Sequence, residues 1–224
     1  NEIIANIETG GGVHNTFVTP DGRYAVGGMI GASEIIAIDT ETDEVLFETT
    51  IPYSQNPFTG GVRPLTFTVN EDGSTRSMLV NVGGWHGFWE IDWETQEVLN
   101  KISPPIDSWD RMDQTADGIQ SAPSHGVVVL PDQSQVWHSS RATSHIYGYS
   151  FPDFEYLGRV YIGNPAWITT TPDSKHLWVG VSGHNQTAVV DVDTQEVIKR
   201  FPVGQAPKRI FTAIMPADWE GEAP

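Results

Sequence analysis

Hydrophobic and polar residues alternate along this chain in short runs, and two kinds of turn interrupt the runs at recurring intervals. The first kind is TPDGRY (19–24), NEDGST (70–75), LPDQSQ (130–135) and TPDSKH (171–176). Proline presets the first torsion of such a turn, aspartate hydrogen-bonds its own backbone, and glycine accepts a positive φ. Apolar runs flank each turn, NTFV and YAVGG around the first and WITT and HLWVG around the last, which predicts strand, tight turn, strand. The second kind lies within IIAIDTETDEVLFE (35–48), FWEIDWETQEVLNK (88–101), IYGYSFPDFEYLGR (146–159) and AVVDVDTQEVIKRF (188–201). Alternation there enters a D-x-x-T turn and resumes beyond it, so a third and a fourth strand form a second hairpin.

Four antiparallel strands per repeat make a sheet that cannot bury both faces alone, and stacking such sheets around an axis solves the problem. The expected fold is therefore an all-β β-propeller with four complete four-stranded blades and partial terminal blades, an incomplete ring over residues 1–216 with a tail at 217–224. The turn residues Asp21, Asp72, Asp132 and Asp173 stand 51, 60 and 41 positions apart, so the last interval approximates the basic repeat and the others contain insertions. Asn1-Glu2-Ile3 aligns with Asp43-Glu44-Val45 and is expected to be the outer strand of a preceding blade. The stretch from Gly204 aligns with that from Gly163 and is expected to be the innermost strand of a following blade. Three completions fit: a further polypeptide segment, an identical subunit forming one larger ring, or a small ring within one chain.

Composition narrows the partners. A formal charge of -17, from 29 acids against 12 bases, repels a phosphate backbone and excludes the basic stripe that nucleic-acid binding needs. There is no cysteine, so disulfides, thiolate nucleophiles and Cys-ligated metals are excluded, and any metal must be held by histidine and carboxylate. No apolar run reaches the length of a membrane-spanning helix, which argues against membrane insertion. The start NEIIANIETGGG has neither a basic stretch nor a cleavage site and reads as a mature or trimmed product, in a periplasmic or extracellular protein. Dinucleotide, Walker A, HExxH, G-x-S-x-G and EF-hand signatures are lacking, and no hydrolytic triad is nominated.

The innermost strand of a blade begins near the axis, on the face where propellers commonly hold ligands. The positions seven residues before each turn aspartate are His14, Leu65, His125 and Ala166, followed by Lys208 in the final partial repeat. His14 and His125 share this register in alternate blades, which suits convergence on a metal; imidazoles also cap turns and line polar walls. His86, in GGWHGFWE, is expected on the same face, as a third ligand, a substrate contact or an exposed loop residue. His138 is placed within a second strand, beneath the channel. Arg63, Arg141 and Lys208 form an anion-binding candidate set, since a guanidinium fork suits an oxyanion. The long insertion before His125 carries Trp109 among several acids and reads as a lid or recognition surface, with Trp109 as a substrate contact. The remaining tryptophans are expected to pack between blades or frame the channel.

These turns, with WVGVSG, AVGGMIGASEIIAIDTETDEV and DVDTQEVIKRFPVGQAPKRI, resemble the YVTN-type β-propeller repeat family, whose pattern is P-D-G, Y-V-T-N, V-I-D-T-x-T and V-G-x-x-P. The resemblance runs from Asn1 to about Met215. The third repeat departs from it, with Ser150-Phe151-Pro152 in place of the D-x-x-T turn, and no repeat keeps the literal tetrad. That family includes surface proteins and enzymes, so the fold does not choose between them. More distantly, the chain resembles the histidine-bearing propellers of nitrous oxide reductase and of copper-dependent thiocyanate dehydrogenases. Copper is implied by that resemblance alone, because the residues suit zinc or iron equally. Two functions follow as expectations. One is an exported scaffold or binding module that completes its ring with another segment or subunit. The other is a metal-dependent oxidoreductase acting on a small anionic substrate, with His14, His125 and His86 as metal ligands. Whether the chain is an enzyme stays open.

Overall fold

The computed structural model describes residues 2–51, 61–105 and 122–219. Sixteen strands form four separate four-stranded antiparallel sheets, each in simple meander order. Blade 1 comprises β1 (Gly12–Val18), β2 (Tyr24–Ile30), β3 (Glu34–Asp39) and β4 (Val45–Thr50). Blade 2 comprises β5 (Val62–Val69), β6 (Thr75–Val82), β7 (Phe88–Asp92) and β8 (Val98–Ile102). Blade 3 comprises β9 (Ser124–Val129), β10 (Gln135–Ser140), β11 (His145–Ser150) and β12 (Tyr156–Tyr161). Blade 4 comprises β13 (Pro165–Thr170), β14 (His176–Val181), β15 (Gln186–Asp191) and β16 (Glu196–Pro202).

The repeated turns do what their chemistry dictates. Asp21 accepts from Thr19 Oγ1 at 2.6 Å and from the Arg23 amide at 3.1 Å, and Asp173 repeats both bonds with Thr171 and Lys175 at the same lengths. The position after the aspartate has φ of 76° and 84° at Gly22 and Gly73, and 59° and 61° at Gln133 and Ser174. The left-handed geometry is thus a property of the turn, which glycine only eases. In the second hairpin Asp39, Asp92 and Asp191 each accept from the amide three residues on. The divergent third repeat keeps the bend with Ser150, whose Oγ accepts from the Glu155 amide at 3.0 Å.

Blades stack in chain order through their inner strands, β1 on β5, β5 on β9 and β9 on β13. Each of the three seams is one apolar cluster. Val26, Ile35, Met78, Trp89 and Trp93 hold blade 1 to blade 2; Leu79, Phe88, Val127 and Tyr147 hold blade 2 to blade 3; Trp137, Ile146, Leu177 and Val190 hold blade 3 to blade 4. Alternation explains this division, because successive residues of one strand face the two neighbouring seams. The four blades do not close a ring. The flanking segments expected to supply terminal strands, from Glu2 to Glu8 and from Val203 to Trp219, carry no strand pairing. The second of them is nevertheless tied down: Thr212 Oγ1 donates to the Thr170 carbonyl at 2.8 Å, and Ser182 Oγ donates to the Pro207 carbonyl at 2.8 Å.

Candidate functional site

Each inner strand begins where its neighbouring second strand ends, so the starts of β1, β5, β9 and β13 and the turns between middle strands lie on one face. His14 is the third residue of β1 and His125 the second of β9. Blades 1 and 3 are separated by a whole blade, yet these two rings meet edge to face with centroids 5.5 Å apart. Their contact marks the axis. His14 Nδ1 hydrogen-bonds the side-chain oxygen of Asn15. His125 is 9% exposed, and its Nδ1 has no hydrogen-bond partner.

Four cations surround this pair. Arg63, on β5, is 8% exposed with its Nε unpartnered. Arg141 sits in the turn after β10, held by its amide to the Pro123 carbonyl at 2.8 Å. Arg209 donates from Nη2 to the His14 carbonyl at 3.2 Å and stands 6.0 Å from the centre of the Trp167 ring. Lys208 precedes it. Among the described residues the one carboxylate ion pair is Arg23–Asp39, between the two hairpin turns of blade 1. The consequence appears in the imidazoles. Burial, then the neighbouring Arg63, Arg209 and Lys208, lower the pKa of His14; burial, then His14, Arg141 and Arg63, push His125 down to about 3. Burial and Arg141 likewise lower Arg63.

Among the described residues the three histidines expected to hold a metal do not come together as a set. Two imidazoles converge, but the described residues contain no group of three or more His, Asp or Glu able to hold an ion. A divalent cation would also be repelled by Arg63, Arg141, Lys208 and Arg209. The remaining sequence-selected residues separate by location. His86 lies on the seam of blades 2 and 3, where its Nε2 bonds Ser140 Oγ at 2.7 Å and its ring faces His138. His138 is fully buried and stacked on Tyr147 and Tyr149, with centroids at 5.3 and 6.0 Å. Trp109 and its insertion lie outside the described residues.

Sequence register found His14, His125 and Lys208 but missed their neighbours. Asn15, Phe17, Phe67, Trp167, Arg209 and Phe211 line a cavity of about 560 Å³ beside the imidazoles. Phe17 and Trp167 stack on each other in its wall, with centroids 5.9 Å apart. Arg209 was one position from the register that singled out Lys208. Phe17 carried no signal distinguishing it from a seam residue, whereas Trp167 was among the tryptophans expected to pack between blades or frame the channel.

No protein-family profile matches the chain, and no curated protein matches it. Among solved structures it is similar to a provisionally named 6-phosphogluconolactonase from Bacteroides fragilis, with TM-score 0.61 and 17% identity over 87% of this chain and 56% of that one. A second provisionally named 6-phosphogluconolactonase, from Bacteroides uniformis, gives 0.63 and 18% over 88% and 56%. The β-propeller domain of Myceliophteria thermophila Cps50 (Swd1) gives 0.66 and 15% over 92% and 59%. The chain spans 56% to 59% of the length of these proteins. At such identities the likeness establishes the fold alone, and with the four sheets it makes the chain an open run of four β-propeller blades.

Proposed function

We propose that this chain is a β-propeller binding module whose ring is completed by a further polypeptide segment or by a second copy. The observation that carries the reading is the unclosed stack: three apolar seams serve four blades, which leaves the outer faces of blades 1 and 4 without the partner each inner blade has. In the segments that precede blade 1 and follow blade 4, Ile3 and Ile4 are 89% and 87% exposed, and Phe211 and Ile214 are 78% and 82% exposed. Large apolar side chains this exposed favour association. The greater length of the similar propellers supports the same reading. The turn chemistry supports a YVTN-type repeat, and the absence of cysteine is compatible with an exported protein. No helix among the described residues is long and apolar enough to cross a membrane.

Sedimentation and hydrogen exchange on the purified chain test this. The expected result is either a defined dimer or a monomer whose residues 203–215 exchange rapidly. A monomer with that segment fully protected would show that the chain closes on itself and would overturn the proposal.

A further inference from the structure

We propose that the axial cavity binds an aromatic carboxylate, with the carboxylate among Arg63, His14, His125 and Arg209 and the apolar body along Phe17, Phe67 and Trp167. This names a ligand for the module proposed above.

The cavity has the size of a small-molecule site, about 560 Å³. The cavity wall is mostly apolar, and the cluster of Arg63, His14 and His125 adjoins it rather than lining it. Phe17, Val18, Phe67, Trp167 and Phe211 supply an apolar lining. Arg209 and Asn15 belong to the same lining and join it to the imidazoles, Arg209 through the His14 carbonyl and Asn15 through the His14 ring. Trp167 makes a third connection, since the His125 ring lies 6.0 Å from it.

The adjoining cationic cluster calls for an anion. A buried guanidinium is costly unless its charge and donors are met, and Arg63 is more than nine-tenths buried with Nε unpartnered. Among the described residues no carboxylate pairs with Arg63, Lys208 or Arg209. These bases come from a chain with only 12 Lys and Arg against 29 acids, so their concentration at the axis is not an average property of the surface. The His125 imidazole, with Nδ1 unpartnered, adds a further polar group. A small inorganic anion would satisfy this cluster but leave the aromatic lining without use. A flat apolar body fills it, and the exposed edge of Arg209 over Trp167 sets the junction between the two.

Isothermal titration calorimetry on the full chain with 2-naphthoate, with the uncharged 2-naphthalenemethanol and with inorganic phosphate tests the assignment. Naphthoate is expected to bind at least about tenfold more tightly than either alternative, the difference expected for a charge-assisted hydrogen bond to a buried group. Arg63→Met should weaken naphthoate about tenfold or more, and Phe17→Ala should weaken naphthoate and the alcohol alike. Should Arg63→Met fail to fold, Arg209→Gln, on the exposed C-terminal segment, carries the charge test with a smaller but measurable loss. Equal affinity for acid and alcohol, phosphate binding as tightly as naphthoate, indifference to the arginine variants, or no naphthoate binding at millimolar concentration would each overturn the inference. None of these readouts depends on how the ring is completed, so failure here and failure of the oligomeric test are separable.

Discussion

Arg209 and His14 stand 195 positions apart, and the Arg209 guanidinium closes that interval by donating to the His14 backbone carbonyl at 3.2 Å. This bond ties the segment after blade 4 to the first strand of blade 1, across the axis of an otherwise open stack. Few other contacts hold that segment, chiefly those of Pro207 and Thr212 to blade 4. Arg209→Ala should therefore loosen residues 207–215, read as faster proteolytic cleavage within them, while leaving the sheets unchanged. The bond is exposed, so its contribution to global stability is expected to be about 1 kcal/mol or less. Unchanged cleavage of the segment would show that Thr212 and Pro207 alone hold it.

Trp93 is the keystone of the seam between blades 1 and 2. Its ring meets Tyr24 at 5.4 Å, Phe47 at 5.2 Å and Phe67 at 6.3 Å, so it touches both blades. Trp93→Ala should destabilise the chain by about 3–5 kcal/mol, the range for removing a large buried aromatic. Trp178, half-buried and stacked flat on Phe201 of its own blade, should cost far less as Trp178→Ala. Equal losses of urea midpoint in the two variants would contradict the seam assignment.

Gly87 has a reason to be glycine that its turn alone does not give. Its φ is 129°, and a Cβ there would stand 1.9 Å from the Ile102 carbonyl oxygen. Its amide also donates to Ser124 Oγ at 2.8 Å, which links blade 2 to the start of β9. Gly87→Ala must move backbone as well as adopt an unfavourable torsion, and a loss of at least about 2–3 kcal/mol is expected. Gly22→Ala, with nothing within 4 Å of its Cβ, serves as the torsion-only control and should cost less.

The fold was legible because each level of the sequence pointed the same way. Asp21, Asp39 and their repeats announce both hairpins, and the alternation between them fixes which side chains meet in each seam. The His14–His125 meeting was legible too, since equal register in alternate blades places two side chains on opposite walls of one channel. What register could not convey was charge environment and lining. Arg63 lies two positions from the register residue Leu65, and only the packing of β5 against β9 brings it beside His125. His86 illustrates the opposite failure of resolution: it lies on the expected face, yet a turn residue can lean toward the axis or the seam, and Ser140 and His138 draw it to the seam.

His138 and His125 make the chain sensitive to acid. His138 is fully buried among Phe88, Tyr147 and Tyr149, with no hydrogen-bond partner at either ring nitrogen, so burial and then His86 lower its pKa far below the usual 6.5. His125 is lowered to about 3. Both folded values lie below the unfolded one. The unfolded chain therefore takes up protons first as pH falls, and folded stability is complete above about pH 6.5 and declines toward pH 3. For His125 alone the loss at pH 4.5 is about 2–3 kcal/mol relative to pH 7.5. His138→Phe should remove one contribution while keeping the aromatic nest, and it also removes two unpartnered nitrogens, so at neutral pH it should be neutral or stabilising. Urea titrations at pH 7.5 and 4.5 check this: His138→Phe and His125→Gln must each lose less stability between the two conditions than the unaltered chain. Parallel losses in all three proteins would mean that these imidazoles reach solvent and protonate in the folded state.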